Sequence, residues 1–153
     1  MKKEHTVLLL ETLILLFCDQ LLKNRAEFFF AQKPLVLNSF ISFEYTKNTG
    51  IAFGIPLTGT LLLIINIIAV IIVMGTLWKI VNFSKKITVV STALIFAGAL
   101  GNLIDRVQFG FVRDFISIGP WPTFNLADAY ITMGIIVLLI FHKKILSLKK
   151  ESL

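Results

Sequence analysis

Four long apolar runs constrain this chain more than any other feature: residues 7–22, 60–78, 87–104 and 129–146. Each approaches the roughly 20 residues that cross a bilayer's hydrocarbon core as a helix. The expected fold is therefore an all-α membrane protein with four transmembrane helices, forming one domain over residues 1–153. Composition agrees: charged residues make up 16% of the chain, against about 25% in an ordinary soluble domain. Lys2 and Lys3 precede the first run as they would in a secretory signal peptide. No small-residue cleavage site follows; the chain continues Cys18-Asp19-Gln20-Leu21-Leu22-Lys23, so the first run is expected to stay in the mature protein.

Lysine and arginine set the expected orientation. Lys2, Lys3, Lys79, Lys85, Lys86, Lys143, Lys144, Lys149 and Lys150 fall on one side, in short flanks. Lys23, Arg25, Lys33, Lys47, Arg106 and Arg113 fall on the other, the first four of them in or just before one long loop. The positive-inside rule then puts both termini and residues 79–86 in the cytoplasm. The net charge of +6 is explained by these flanks, which meet anionic headgroups, so membrane lipids are expected partners and nucleic acid is not. All four aspartates, Asp19, Asp105, Asp114 and Asp128, map with Glu27 and Glu44 to the outer side. Carboxylates do little to set topology, so this asymmetry points to a site on the outer face. Glu11, alone in the cytoplasmic half of the first run, is expected to snorkel.

The outer loop, residues 24–59, is too long for a simple turn. Ile41-Ser42-Phe43-Glu44-Tyr45-Thr46 alternates like a half-buried strand, Asn48-Thr49-Gly50 reads as a turn, and residues 51–55 form a second extended piece. A small antiparallel sheet over the outer leaflet is expected, with Phe40, Phe43 and Phe53 facing lipid or helices.

Three stretches combine amide, carboxylate and glycine residues at membrane level: Gly98 to Arg106, Val112 to Phe115, and Phe124 to Asp128. They flank Gly119-Pro120-Trp121-Pro122, which cannot be helical, and so are assigned to the outer ends of the third and fourth helices. Several of these residues have ordinary readings. Gly98 and Gly101 suit close helix approach better than substrate contact. Asn102 and Asn125 each suit a packing hydrogen bond, Asp105 beside Arg106 an interfacial ion pair, and Trp121 an interfacial anchor. Asp19 and Lys23 share a helix face at i,i+4, either as a structural pair or as part of a site. Asp114 and Asp128 fit such readings poorly, because neither has a basic residue at helical spacing. Two converging carboxylates do not both ionise, so one activates water while the other donates a proton. The lone Cys18 reads as a small buried hydrophobe, and His5 and His142 lie at the cytoplasmic ends. No metal-ligand set or HExxH appears, so neither metal nor other cofactor is expected.

These residues also carry a resemblance. Asp19, Gln20 and Lys23; Asn48, Gly50, Ala52 and Phe53; Gly101, Asn102, Asp105 and Arg106; Asp114 and Phe115; and Phe124, Asn125, Ala127 and Asp128 stand as five ordered blocks. Together, over nearly the whole chain, they resemble the lipoprotein signal peptidases, the type II signal peptidases of bacteria. The resemblance implies an aspartic endopeptidase of the bacterial cytoplasmic membrane, and the chain is expected to be a monomer. It would cut the signal peptide from a prolipoprotein before a diacylglyceryl-modified cysteine, and would be a target of globomycin-type inhibitors. Asp114 and Asp128 would be the catalytic pair. Asn102, Arg106 and Asn125 would bind substrate and shape the site, with Asp105, Asn48, Gly50, Asp19 and Lys23 in support. Arg113 departs from the family's often apolar residue; it is expected to reach headgroups, and it leaves the pH optimum open. Two other classes compete: a proton-coupled transporter or channel component, which would spread acids over several depths, and a structural membrane subunit, which gives the unpartnered aspartates no role.

Overall fold

A computed structural model describes residues 2–50 and 59–142 of the chain. Its elements run α1 (Lys3–Phe30), β1 (Leu35–Val36), β2 (Ile41–Asn48), α2 (Gly59–Ile80), α3 (Lys86–Phe109), β3 (Val112–Ile118) and α4 (Leu126–Ile140). The first three helices are long and apolar enough to cross a membrane; α4 is apolar and is described over 15 residues. The remainder of the expected fourth span, to residue 146, lies outside the described residues.

Helix α1 continues to Phe30, eight residues past the apolar run. Its 28 residues span about 42 Å, against a hydrocarbon core of roughly 30 Å. The extension carries Lys23, Asn24 and Glu27 on the same helix beyond the apolar run. Glu11, expected to snorkel, instead has Oε2 buried without a hydrogen-bond partner among the described residues.

Helix α3 is the central element and carries most of the buried helical residues. Small side chains let its neighbours approach, as is common where helices pack in lipid. A Cβ on Gly98 would run into the Ala127 carbonyl of α4, and one on Gly134 would lie 2.6 Å from Ile95 Cγ1. At the end that bears Lys79, Lys85 and Lys86, an apolar core joins Leu8, Leu77, Val81, Val89, Ala93, Ile95 and Phe96. Elsewhere α2 buries little, and its isoleucines form an exposed apolar surface suited to lipid.

The expected sheet is present with different partners. β2 lies between β1 and β3, antiparallel to both. The extended piece expected at residues 51–55, with Ala52 and Phe53, lies outside the described residues. Phe43 stacks on Phe30 at 5.7 Å and so faces the end of α1, whereas Phe40 is half-exposed. Val112 to Phe115, assigned above to a helix end, is the start of β3. The reason is local. Gly110 closes α3 in the left-handed region (φ 79°), its N–H reaching the Arg106 carbonyl at 3.1 Å. Few residues other than glycine adopt that conformation readily, and the chain leaves it extended.

Candidate active site

β3 and the start of α4 are bound to each other before any carboxylate is considered. Phe115 and Ile116 donate backbone N–H groups to the Phe124 carbonyl at 3.0 and 2.8 Å, and Phe124 N–H returns to Ile116 at 2.9 Å. Asn125 then caps α4. Its side chain accepts from Asp128 N–H at 3.0 Å, and the Asp128 carboxylate accepts from Asn125 N–H at 3.3 Å. This is a reciprocal capping box. It fixes Asp128 in the first turn, where the helix dipole favours a carboxylate.

Asn125 also joins the two aspartates. Its Nδ2 donates to Asp114 Oδ1 at 2.7 Å and to Asn102 Oδ1 at 3.1 Å. Asn102 Nδ2 donates to Asp128 Oδ1 at 2.7 Å, and Asn48 Nδ2 to Asp114 Oδ2 at 2.8 Å. Each carboxylate thus takes donors from amides. Asp114 is only 1% exposed. Burial pushes its carboxyl up to about 6; the Asp128 charge adds to the rise, while the Asn48 and Asn125 donors oppose it.

Both aspartates line one cavity of about 1970 Å³. Asn48, Gly50, Asn102 and Arg106 share its polar end, and Trp121 stands in its wall while two-thirds exposed. From there the cavity runs between α2, α3 and α4 along apolar residues that include Val70, Val73, Ile131 and Ile135. Arg106 Nη2 donates to the Gly50 carbonyl at 3.3 Å, and its buried Nε has no partner among the described residues. That leaves a guanidinium donor available for a carbonyl brought in by a ligand. Among the described residues, no three His, Cys, Asp or Glu side chains group as metal ligands.

Asp19, Lys23 and Asp105 stand behind this cavity. Lys23 Nζ pairs with Asp19 at 2.9 Å and Asp105 at 3.3 Å, all three fully buried, and donates to Asn102 Oδ1 at 3.0 Å. Asp19 Oδ1 accepts from Ala127 N–H at 2.9 Å, fastening α4 to α1. Gly101 makes room for this arrangement, since a Cβ there would lie 2.5 Å from Asp19 Oδ2. Two expectations change. Asp105 pairs with Lys23 and Arg113 and not with adjacent Arg106, because i,i+1 neighbours on a helix diverge. Arg113 does not reach headgroups; it is 2% exposed and bonded to Asp105, Gln20 and Asn24.

Gln20, Asn24 and Arg113 are the participants not named in advance as site residues. Gln20 stood inside the first block, and Asn24 follows it at i,i+4. That spacing becomes a signal only once the helix is known to run beyond Leu22.

The chain is also similar to known proteins. Residues 11–143 match the family model for signal peptidase (SPase) II. A lipoprotein signal peptidase of Moorella thermoacetica is 38% identical over 85% of this chain and 88% of its own. One from Caldicellulosiruptor bescii is 39% identical over 88% and 87%. A solved structure, described as a bacterial membrane enzyme determined by the in meso method at 2.3 Å resolution, superposes with a TM-score of 0.73. It is 31% identical and the match covers 90% of this chain and 87% of that one. With the family model spanning most of its length and these relatives aligned nearly end to end, this chain belongs to the signal peptidase II family.

Proposed function

We propose that this protein is an aspartic endopeptidase that removes the signal peptide from prolipoproteins, with Asp114 and Asp128 as its catalytic pair. The observation that carries the pairing is their placement: one from a strand and one from a helix, on one cavity wall, bridged by Asn125. One carboxylate takes a proton from water as it attacks the scissile carbonyl. The other supplies a proton to the departing amine. Arg106, with its spare donor, and Asn102 hold the substrate backbone, while Asn48 and Asn125 orient Asp114. The apolar part of the cavity suits a signal helix and the acyl chains of a diacylglyceryl-modified cysteine, and the cut falls before that cysteine. The same cavity is the site for globomycin-type inhibitors.

The enzyme works as a monomer in the bacterial cytoplasmic membrane, among lipids, with both termini cytoplasmic and the sheet end outside. Reporters fused within residues 82–86 are expected to read cytoplasmic and those within residues 38–47 external; the reverse would overturn this orientation. The functional test incubates purified protein in detergent with a diacylglyceryl-modified prolipoprotein and follows the size shift. Cleavage before the lipidated cysteine, undiminished by EDTA, is expected. No cleavage, or loss in EDTA restored by zinc, would sink the proposal.

A further inference from the structure

Arg113 adjoins the Asp114 carboxyl in sequence, yet the cleavage chemistry gives it no task. Its surroundings are nevertheless built around it. The guanidinium donates to Asp105 Oδ1 through Nη2 at 2.7 Å and to Oδ2 through Nε at 3.3 Å. Nη2 also reaches Gln20 Oε1 at 2.9 Å, and Nη1 reaches Asn24. The ring of Phe109 lies 4.5 Å from the guanidinium carbon. The backbone N–H of the same residue donates to Asp105 Oδ2 at 2.9 Å. One carboxylate therefore holds both the main chain and the side chain of residue 113.

Successive side chains leave a strand on opposite faces. Arg113 turns toward α1 and α3, and Asp114 turns toward the cavity. Fixing residue 113 in place and orientation thus fixes where the next carboxyl points. Asp105 does something parallel for the other aspartate, through Lys23 to Asn102 and from Asn102 to Asp128. Two arms leave one buried carboxylate and end at the two members of the pair.

We propose that Arg113 is a positioning residue for catalysis, the arm by which the buried Asp19–Lys23–Asp105 cluster sets Asp114 against Asp128. This rests on the Asp114–Asp128 assignment. A planar fork is required, because a lysine cannot bond both oxygens of Asp105 in this way. Misplacing a reacting group by about 1 Å costs on the order of 10²-fold in rate.

The test compares full-length wild type, Arg113→Met, Arg113→Lys and Asp114→Asn in detergent. kcat and KM for a diacylglyceryl-modified prolipoprotein are measured separately and normalised to folded enzyme, alongside thermal unfolding. Arg113→Met is expected to lower kcat roughly 10- to 100-fold with KM within about twofold. Arg113→Lys, which keeps the charge and loses the fork, falls between; it decides the matter if Arg113→Met does not fold. A wild-type kcat in either variant, with or without a lower melting temperature, would mean a purely structural role and overturn the proposal. So would a raised KM at unchanged kcat. Cleavage by Asp114→Asn would instead refute the catalytic assignment itself, whereas an inactive Asp114→Asn beside a fully active Arg113→Met would refute only the positioning role.

Discussion

At the lysine end of the bundle, Val89, Ala93, Ile95 and Phe96 of α3 pack with Leu8 of α1, Leu77 of α2 and Val81. About two turns along the same helix, Gly101, Asn102 and Asp105 meet Asp19, Gln20 and Lys23 of the same partner helix, α1. The first contact is non-directional, and side chains of similar volume fill it equally well. The second is directional. Each buried charge there depends on a partner at a set distance, and removing one leaves another uncompensated in a low-dielectric interior. The molecule thus uses α1 and α3 twice, once as an apolar weld and once as a frame that holds two carboxylates in register.

The same substitution at two places on α1 measures this contrast. Lys23→Met takes from the buried Asp19 its ion-pair partner, and from Asp105 one of two, Arg113 being the other; it is expected to cost about 3–5 kcal/mol of stability, with activity lost as Asn102 is released. Leu8→Met, also buried, is expected to cost less than about 1.5 kcal/mol and to leave cleavage intact. Thermal or denaturant unfolding in detergent, with cleavage assays, checks both. Equal losses at the two sites would break the contrast.

Glycines give a second, smaller comparison. Gly101→Ala drives a methyl against the Asp19 carboxylate and is expected to destabilise by about 1–3 kcal/mol. Gly75→Ala, with nothing within 4 Å of its new methyl, is expected to gain about 0.5–1 kcal/mol as a helix-interior alanine. The same unfolding measurements apply, and a Gly101→Ala protein as stable as wild type would show that Asp19 has room to move.

Titration separates the two ends as well. The Asp114 carboxyl is raised to about 6, chiefly by burial, so its protonated form persists upward from the ordinary carboxylate range. A pair that needs one proton loses it as pH rises through that value. kcat/KM should therefore fall above about pH 6, by up to roughly tenfold per unit. Leu8→Met should leave that limb in place. A rate that climbs steadily from pH 6 to 8 would contradict the sharing of a proton between the aspartates.

The first three spans were legible because apolar runs of membrane length have few other uses. Asp114 and Asp128 stood out in the sequence as carboxylates lacking a basic neighbour at helical spacing, and the fold brings both to one cavity wall. What escaped was how the polar cluster is buried. Lys23, Arg25 and Glu27 look like the end of a membrane helix, yet α1 continues, and the 19–23 and 20–24 spacings carry polar side chains into the protein. β3 hid for a related reason: Arg113 and Asp114 are both buried, so Val112–Ile118 lacks the alternation that betrays a strand with one wet face. Burial there is achieved by ion pairing and amide donors, which a hydrophobic pattern cannot report. Phe124 and Asn125 show the opposite case. The capping box is written in Asn125 and Asp128, three residues apart, and marks the start of α4 earlier than the apolar run does.

The central claim is that Asp114 and Asp128 act as one unit. The most direct measurement is the cleavage rate of four purified proteins: wild type, Asp114→Asn, Asp128→Asn and the double variant, each shown to be folded and to bind globomycin. Asparagine is nearly isosteric with aspartate but neither takes nor supplies the proton. Each single variant should lose on the order of 10²- to 10⁴-fold in turnover, and the double variant should be scarcely slower than either single one, since groups that act as a unit are not additive. Wild-type cleavage by Asp128→Asn, above all with an inactive Asp105→Asn protein, would contradict the claim and move the catalytic pair into the cluster behind it.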